Sequence, residues 1–258
     1  MKSIVRLVTS SVGKKYLMAL SGFILSGFVL GHMCGNLQVF LPPHWINSYA
    51  HHLQSMPYGL LWVVRAVMLS AVAIHAATAI VLFKENKAAR PEAYRKDATV
   101  RASKASRTMI VSGLIILFFI IFHIFHYTVK NMYGLDQLMI NDLGHGPLEH
   151  PVPNVYAVMY MGFSVWYVAL FYIVAVFMLC QHLSHGVASI FQSLGLRNEI
   201  WRYRLEKLAL AYGWIVFLGF ASIPVAVLLD FYLGVPIFDK STFIEVYEQA
   251  KNCAGAIQ

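Results

Sequence analysis

Charge is what this 258-residue chain has least of: Asp, Glu, Lys and Arg together make up 12% of it, against 59% apolar residues and a mean hydropathy of +0.62. Soluble domains carry about 25% charged and roughly 45–50% apolar residues, so a water-soluble globular protein is excluded. Cysteine is scarce too. Cys34, Cys180 and Cys253 are too few and too scattered for a disulfide framework or a C-x-x-C metal clip. No C-x-x-C-H occurs, which excludes a haem held by thioether bonds. A Gly-rich nucleotide motif, a cysteine cluster for an iron–sulfur centre, an internal repeat and a Gly/Ser linker are all missing. Acidic residues number 12 against 20 Lys and Arg, a formal net charge of +8. The basic residues sit in short segments between long apolar runs and not on a solvated polar face, which removes nucleic acid as a partner.

What is present is long apolar runs. A helix needs about 20 apolar residues to cross roughly 30 Å of hydrocarbon. Five segments qualify, at about 16–41, 58–83, 107–130, 156–190 and 207–233. The first follows Lys2, Arg6, Lys14 and Lys15 but is too long for a signal-peptide core and ends without a small-residue cleavage site, so it is read as a span. The fourth is overlong, which predicts tilt or a projecting helix. Lys and Arg concentrate in the N-terminal segment (4), the 84–107 loop (8) and the 197–207 loop (4), leaving Lys130, Lys240 and Lys251 opposite. The positive-inside rule then sets the N-terminus in the cytoplasm and the C-terminus outside. The expected fold is an all-α integral membrane protein, one membrane domain over 1–258 with a short outer tail.

Histidine carries the chemistry. His32, His75, His123, His126, His182 and His185 fall within spans, where an ionisable group is costly and by default functional. Depth sorts them. His32 lies 17 residues past Lys15, about 26 Å from the cytoplasmic boundary, and His123 lies 16 residues past Arg107, about 24 Å from it. His75 lies nine residues before Lys84, about 14 Å from the same boundary, and His182 is 26 residues beyond Tyr156 on another inward-going helix. Two transmembrane pairs result, His32 with His123 in the outer half and His75 with His182 in the inner half. Paired neutral imidazoles fill both axial positions of a haem iron, giving an electron carrier that does not bind oxygen. Zinc or copper needs three or four ligands at one depth. Small residues share a face with three of these histidines, Gly35 after His32, Ala79 after His75 and Gly186 after His182, and leave room for a flat macrocycle or simply for helix packing. His126 and His185, each one turn from a ligand candidate, are alternative ligands; as non-ligands they bind a haem propionate, shuttle protons or pack. Arg65 is a candidate propionate partner or a snorkelling cation.

The stretches LSGFILSGFVLGHM around His32, AHHLQSMP at 50–57, AIHAATAIVLF around His75, SGLIILFFIIFH ending at His123 and HLSHGVASIFQSLG at 182–195 give the chain a resemblance to a known family. Over residues 14–233 it resembles the single-chain, di-haem cytochrome b558 anchor of succinate dehydrogenases and fumarate reductases. The resemblance implies a core four-helix bundle enclosing two haems b in a prokaryotic cytoplasmic membrane. It selects His123 over His126, because the family ligand follows a small-residue–Gly pair, here Ser112-Gly113. It selects His182 over His185 through Gly186 and Gly195. It implies a flavoprotein subunit and an iron–sulfur subunit as cytoplasmic partners, with the succinate and fumarate chemistry on them and no catalytic residue here. Menaquinone is the quinone by family type, and His51 and His52, at the outer end of helix II, are candidate quinone contacts or solvated loop histidines. The longer outer loop at 131–155 and the tail beyond 233 depart from the family. Two rival readings are a cytochrome b of a hydrogenase or formate dehydrogenase, and a haem-free transporter with a histidine proton relay, although the repeats and broken helices typical of transporters are not evident.

Overall fold

A computed structural model describes residues 10–89, 108–130, 132–144, 146–196 and 198–255. Five of its helices are long and apolar enough to cross a membrane: Ser11–Phe40, Pro57–Ala88, Met109–Val129, Trp166–Ser193 and Glu199–Leu233. Their large apolar side chains point outward as well as inward, with Leu20, Phe23, Leu69, Phe118 and Leu218 all more than half exposed. Lipid accepts such surfaces, and an α-helix pairs its backbone polar groups within the segment, as a solvent without water demands.

In chain order, α1 (Ser11–Asn36) tightens into a 3-10 turn at Leu37–Phe40, and α2 (Pro43–Gln54) is a separate short helix opened by proline at its first turn. α3 (Leu60–Ala88) follows. α4 (Met109–His123) widens into a π-helical stretch, Ile124–Val129, closed by the Lys130 N–H bonding back to the Phe125 carbonyl at 3.1 Å. After a hairpin of β1 (Met139–Asp142) and β2 (Pro147–Pro153) come α5 (Val155–Ser164), α6 (Trp166–Ser193), α7 (Glu199–Leu233) and α8 (Ile244–Gly255).

Four expectations change. The overlong fourth span is two helices, because Val165 is extended (ψ 100°) between α5 and α6. Asn154 caps α5 by accepting from the Ala157 N–H at 3.1 Å, and the Ser164 carbonyl takes the Tyr232 hydroxyl at 3.0 Å. The helices also run past the spans expected from the sequence: the first starts at Ser11 and the fifth at Glu199, since a helix can continue into a polar boundary where charged side chains are solvated. The 131–155 loop is not all irregular. Asp142 accepts from the Gly144 and Gly146 N–H groups at 2.7 and 3.1 Å, turning the chain so that β1 pairs antiparallel with β2. Pro147, Pro151 and Pro153 are tolerated because both strands of a two-stranded sheet are edges. Finally, His51 and His52, expected at the outer end of helix II, lie in the last turn of the separate helix α2, with a turn in which Tyr58 is left-handed (φ 57°) between them and α3.

The chain divides into two compact units. The first comprises Met1–Leu30, Trp62–Leu117 and Phe177–Phe217. There α6 and α7 touch at backbone distance: a Cβ on Gly213 would stand 2.6 Å from Ser184 Oγ and 2.8 Å from the Cys180 carbonyl. Lys14 pairs with Glu85, and the Tyr212 hydroxyl donates to the Ser26 carbonyl at 2.6 Å. The second comprises Gly31–Leu61, Phe118–Val176 and Leu218–Gln258. Its core gathers Val39, Ile46, Leu135, Tyr156, Tyr160, Phe163, Ile223, Val227, Phe231 and Phe238. Inside that core the Asp230 carboxylate accepts from Tyr160 Oη (2.7 Å), Lys240 Nζ (2.6 Å) and the N–H groups of Ile237 and Phe238 (2.9 and 2.8 Å). Asn47 and Asn154 bond each other at 3.0 Å and cap the start of α5 through the Tyr156 and Ala157 N–H groups.

Candidate functional site: two imidazole pairs

Each unit contains one pair of histidine rings. In the first, His75 of α3 and His182 of α6 have ring centroids 6.2 Å apart with planes at 65°. In the second, His32 of α1 and His123 at the end of α4 have centroids 5.8 Å apart at 79°. All four rings are half-buried. Among the described residues no three of His, Cys, Asp and Glu come together, so these imidazoles are grouped as pairs.

The His75–His182 pair is seated by two Ser-Gly steps. Against α1, His75 Nδ1 lies 3.2 Å from the Met18 carbonyl and 3.3 Å from Ser21 Oγ, and a Cβ on Gly22 would come within 3.2 Å of the ring. Against α4, His182 Nδ1 lies 3.2 Å from Ser112 Oγ, and a Cβ on Gly113 would stand 3.5 Å from the ring. The serine protons are already committed within their own helices, Ser21 to the Leu17 carbonyl at 2.7 Å and Ser112 to the Met109 carbonyl at 3.1 Å. Both hydroxyls therefore accept from the rings. A carbonyl can only accept as well, so His75 carries its proton on Nδ1 and keeps the lone pair on Nε2, and His182 does the same when the Ser112 proton stays on the Met109 carbonyl.

In the other pair, His123 Nδ1 lies 3.3 Å from the Tyr172 hydroxyl of α6, which also lies 3.0 Å from His126 Nδ1. His32 Nε2 lies 3.4 Å from the Asn36 amide nitrogen, and its ring is 5.8 Å from that of Phe220. At that length the amide contact is weak.

The remaining candidates are dispersed. His185 turns to its own helix, Nε2 lying 3.2 Å from Ser189 Oγ. His126 is fully buried in the π-helical stretch among Phe122, Tyr127, Tyr133 and Tyr172. The Arg65 guanidinium lies over the Trp62 ring at 4.7 Å. Of the small residues, Gly186 faces open space, whereas Gly35 is filled: a Cβ there would stand 2.9 Å from the Tyr49 ring, so its role is to admit that tyrosine.

Ser21, Ser112 and Tyr172 are partners that sequence reasoning did not assign. A signal for the serines exists, since a Ser-Gly step precedes a ligand candidate by eleven residues twice, Ser21 to His32 and Ser112 to His123. Tyr172 has no such signal; one tyrosine among 14 becomes special only by contact.

The fold thus defines a helical protein with five helices able to cross a membrane and two half-buried imidazole pairs. No family model, curated protein or solved structure matches the chain.

Proposed function

We propose that this chain is a cytochrome b membrane anchor of a succinate:quinone oxidoreductase, in which His75 with His182 and His32 with His123 hold two haems b. The observation that carries the reading is the spacing of the two pairs. An imidazole nitrogen binds a first-row metal at about 2 Å, so two imidazoles that held one iron between them would have ring centres roughly 6 Å apart. The separations here are 6.2 and 5.8 Å.

The residues fit the group in a second respect. Iron takes neutral imidazole through a lone pair, and the partner on the other nitrogen fixes the tautomer and aims the ring. Ser21 with the Met18 carbonyl does this for His75, Ser112 for His182 and Tyr172 for His123. Bound between such rings, haem b supplies one-electron transfer without a position for oxygen.

The same reading makes the cationic face the docking surface for a flavoprotein and an iron–sulfur subunit, and gives the membrane quinone, menaquinone by family resemblance, as the other redox partner. The N-terminus is then cytoplasmic and the C-terminus outside, with His75 and His182 on the docking side.

A pyridine haemochrome assay on the purified chain tests the core of this. Two haems b per polypeptide are expected, and His75→Ala or His182→Ala removes one while His32→Ala or His123→Ala removes the other. One haem or none in the unsubstituted chain overturns the arrangement.

A further inference from the structure

Tyr172 has one proton and two imidazoles to satisfy. Its hydroxyl lies 3.3 Å from His123 Nδ1 and 3.0 Å from His126 Nδ1. As an iron ligand through Nε2, His123 must carry its proton on Nδ1 and donate it to the tyrosine oxygen. The Tyr172 proton can then go only to His126, whose Nδ1 accepts it. That leaves the proton of neutral His126 on Nε2, an atom which is buried and has no partner among the described residues.

Resting on the haem reading, we propose that Tyr172 and His126 are positioning residues of the His32–His123 haem, forming a directed chain from His123 through Tyr172 to His126 that fixes the tautomer and electron-donating strength of the ligand. A hydroxyl that donates to a good acceptor becomes a better acceptor itself, so His126 strengthens the pull of Tyr172 on the His123 proton. A ligand whose N–H is pulled is more electron-rich and favours ferric iron. At the His75–His182 pair the hydroxyls beside Nδ1 are aliphatic, those of Ser21 and Ser112, and pass their protons to main-chain carbonyls of their own helices and not to a second imidazole. The two haems of one polypeptide are therefore set to different potentials by different partners.

The three-residue step from His123 to His126 and the π-helical stretch that begins between them bring both Nδ1 atoms to one hydroxyl. π-Helical turns are rare and recur at functional sites. A purely structural histidine does not need its Nδ1 on the same oxygen as a ligand.

The test uses the full chain in lipid bilayers. With 15N-labelled histidine, the signal lost in His126→Gln should report a protonated Nε2 and a bare Nδ1. In a redox titration of haem absorbance, Tyr172→Phe should move one midpoint potential upward and leave the other unchanged. His126→Leu should do the same, while His126→Gln, whose carboxamide oxygen accepts the Tyr172 proton, should stay closer to the parent. A His126 signal with the proton on Nδ1 overturns the proposal, as does a Tyr172→Phe protein with both potentials unmoved. If Tyr172→Phe does not accumulate, equal potentials in His126→Leu and His126→Gln overturn it. A parent chain without haem overturns the anchor reading and the relay's role together, whereas two haems with unmoved potentials overturn the relay alone.

Discussion

At the scale of single residues, what decides the site is the atom opposite each imidazole. Gly22 lets the His75 ring lie against α1, and the ring is held there through Nδ1 by Ser21 and the Met18 carbonyl. A β-branched side chain at Gly22 fills the place of the ring, since even a bare Cβ would stand 3.2 Å from His75 Cε1. On the proposed haem reading, Gly22→Val is accordingly expected to lower the haem count from two to one, with the remaining haem that of the His32–His123 pair. Loss of both, or of neither, measured by pyridine haemochrome, goes against this seating.

At the scale of elements, the polar keystone is Asp230 of α7. Its carboxylate is completely buried and ties α5, through Tyr160, to the chain segment after α7, through Lys240 and the Ile237 and Phe238 N–H groups. Removing one partner of a buried ion pair leaves the other uncompensated, at a cost of about 3–5 kcal/mol. Asp230→Asn, which loses the charge but still accepts from Tyr160 and the backbone, should therefore lower the thermal midpoint of the detergent-solubilised protein, and Asp230→Ala should lower it further. An Asp230→Asn midpoint equal to that of the parent shows that the ion pair is dispensable. The break between α5 and α6 belongs to this scale as well: residues 156–190 give no warning of it, because apolar residues continue through Val165 and the Tyr232 contact to Ser164 comes from another helix.

For the whole molecule, the proposed function makes the asymmetry of charge in the sequence the basis of subunit docking. The N-terminal segment, the 84–107 loop and the 197–207 loop hold sixteen of the twenty Lys and Arg residues (4, 8 and 4). Lys87 is exposed at the end of α3, while Arg95 and Lys96 lie outside the described residues. Neutralising Lys87, Arg95 and Lys96 together should release the hydrophilic subunits from the purified membrane complex while both haems stay. Under the same proposal part of this charge would orient the chain and bind anionic lipid, a role that subunit loss leaves unaffected. Subunits that remain bound, or that cross-link to the 131–155 loop, place docking on the other face.

Sequence alone determines the five spans and the scarcity of alternatives to histidine, because crossing hydrocarbon is a local requirement met by about 20 consecutive apolar residues. It also proposes depth, since helical rise is constant. It does not determine which of two histidines one turn apart meets a partner ring. His123 and His126 differ by three residues, as do His182 and His185, and only the packing sends His185 to Ser189 while His182 reaches Ser112. Tyr172, the serine acceptors and the extended Val165 were decided in the same way, by groups far apart in sequence that meet only once the helices are side by side.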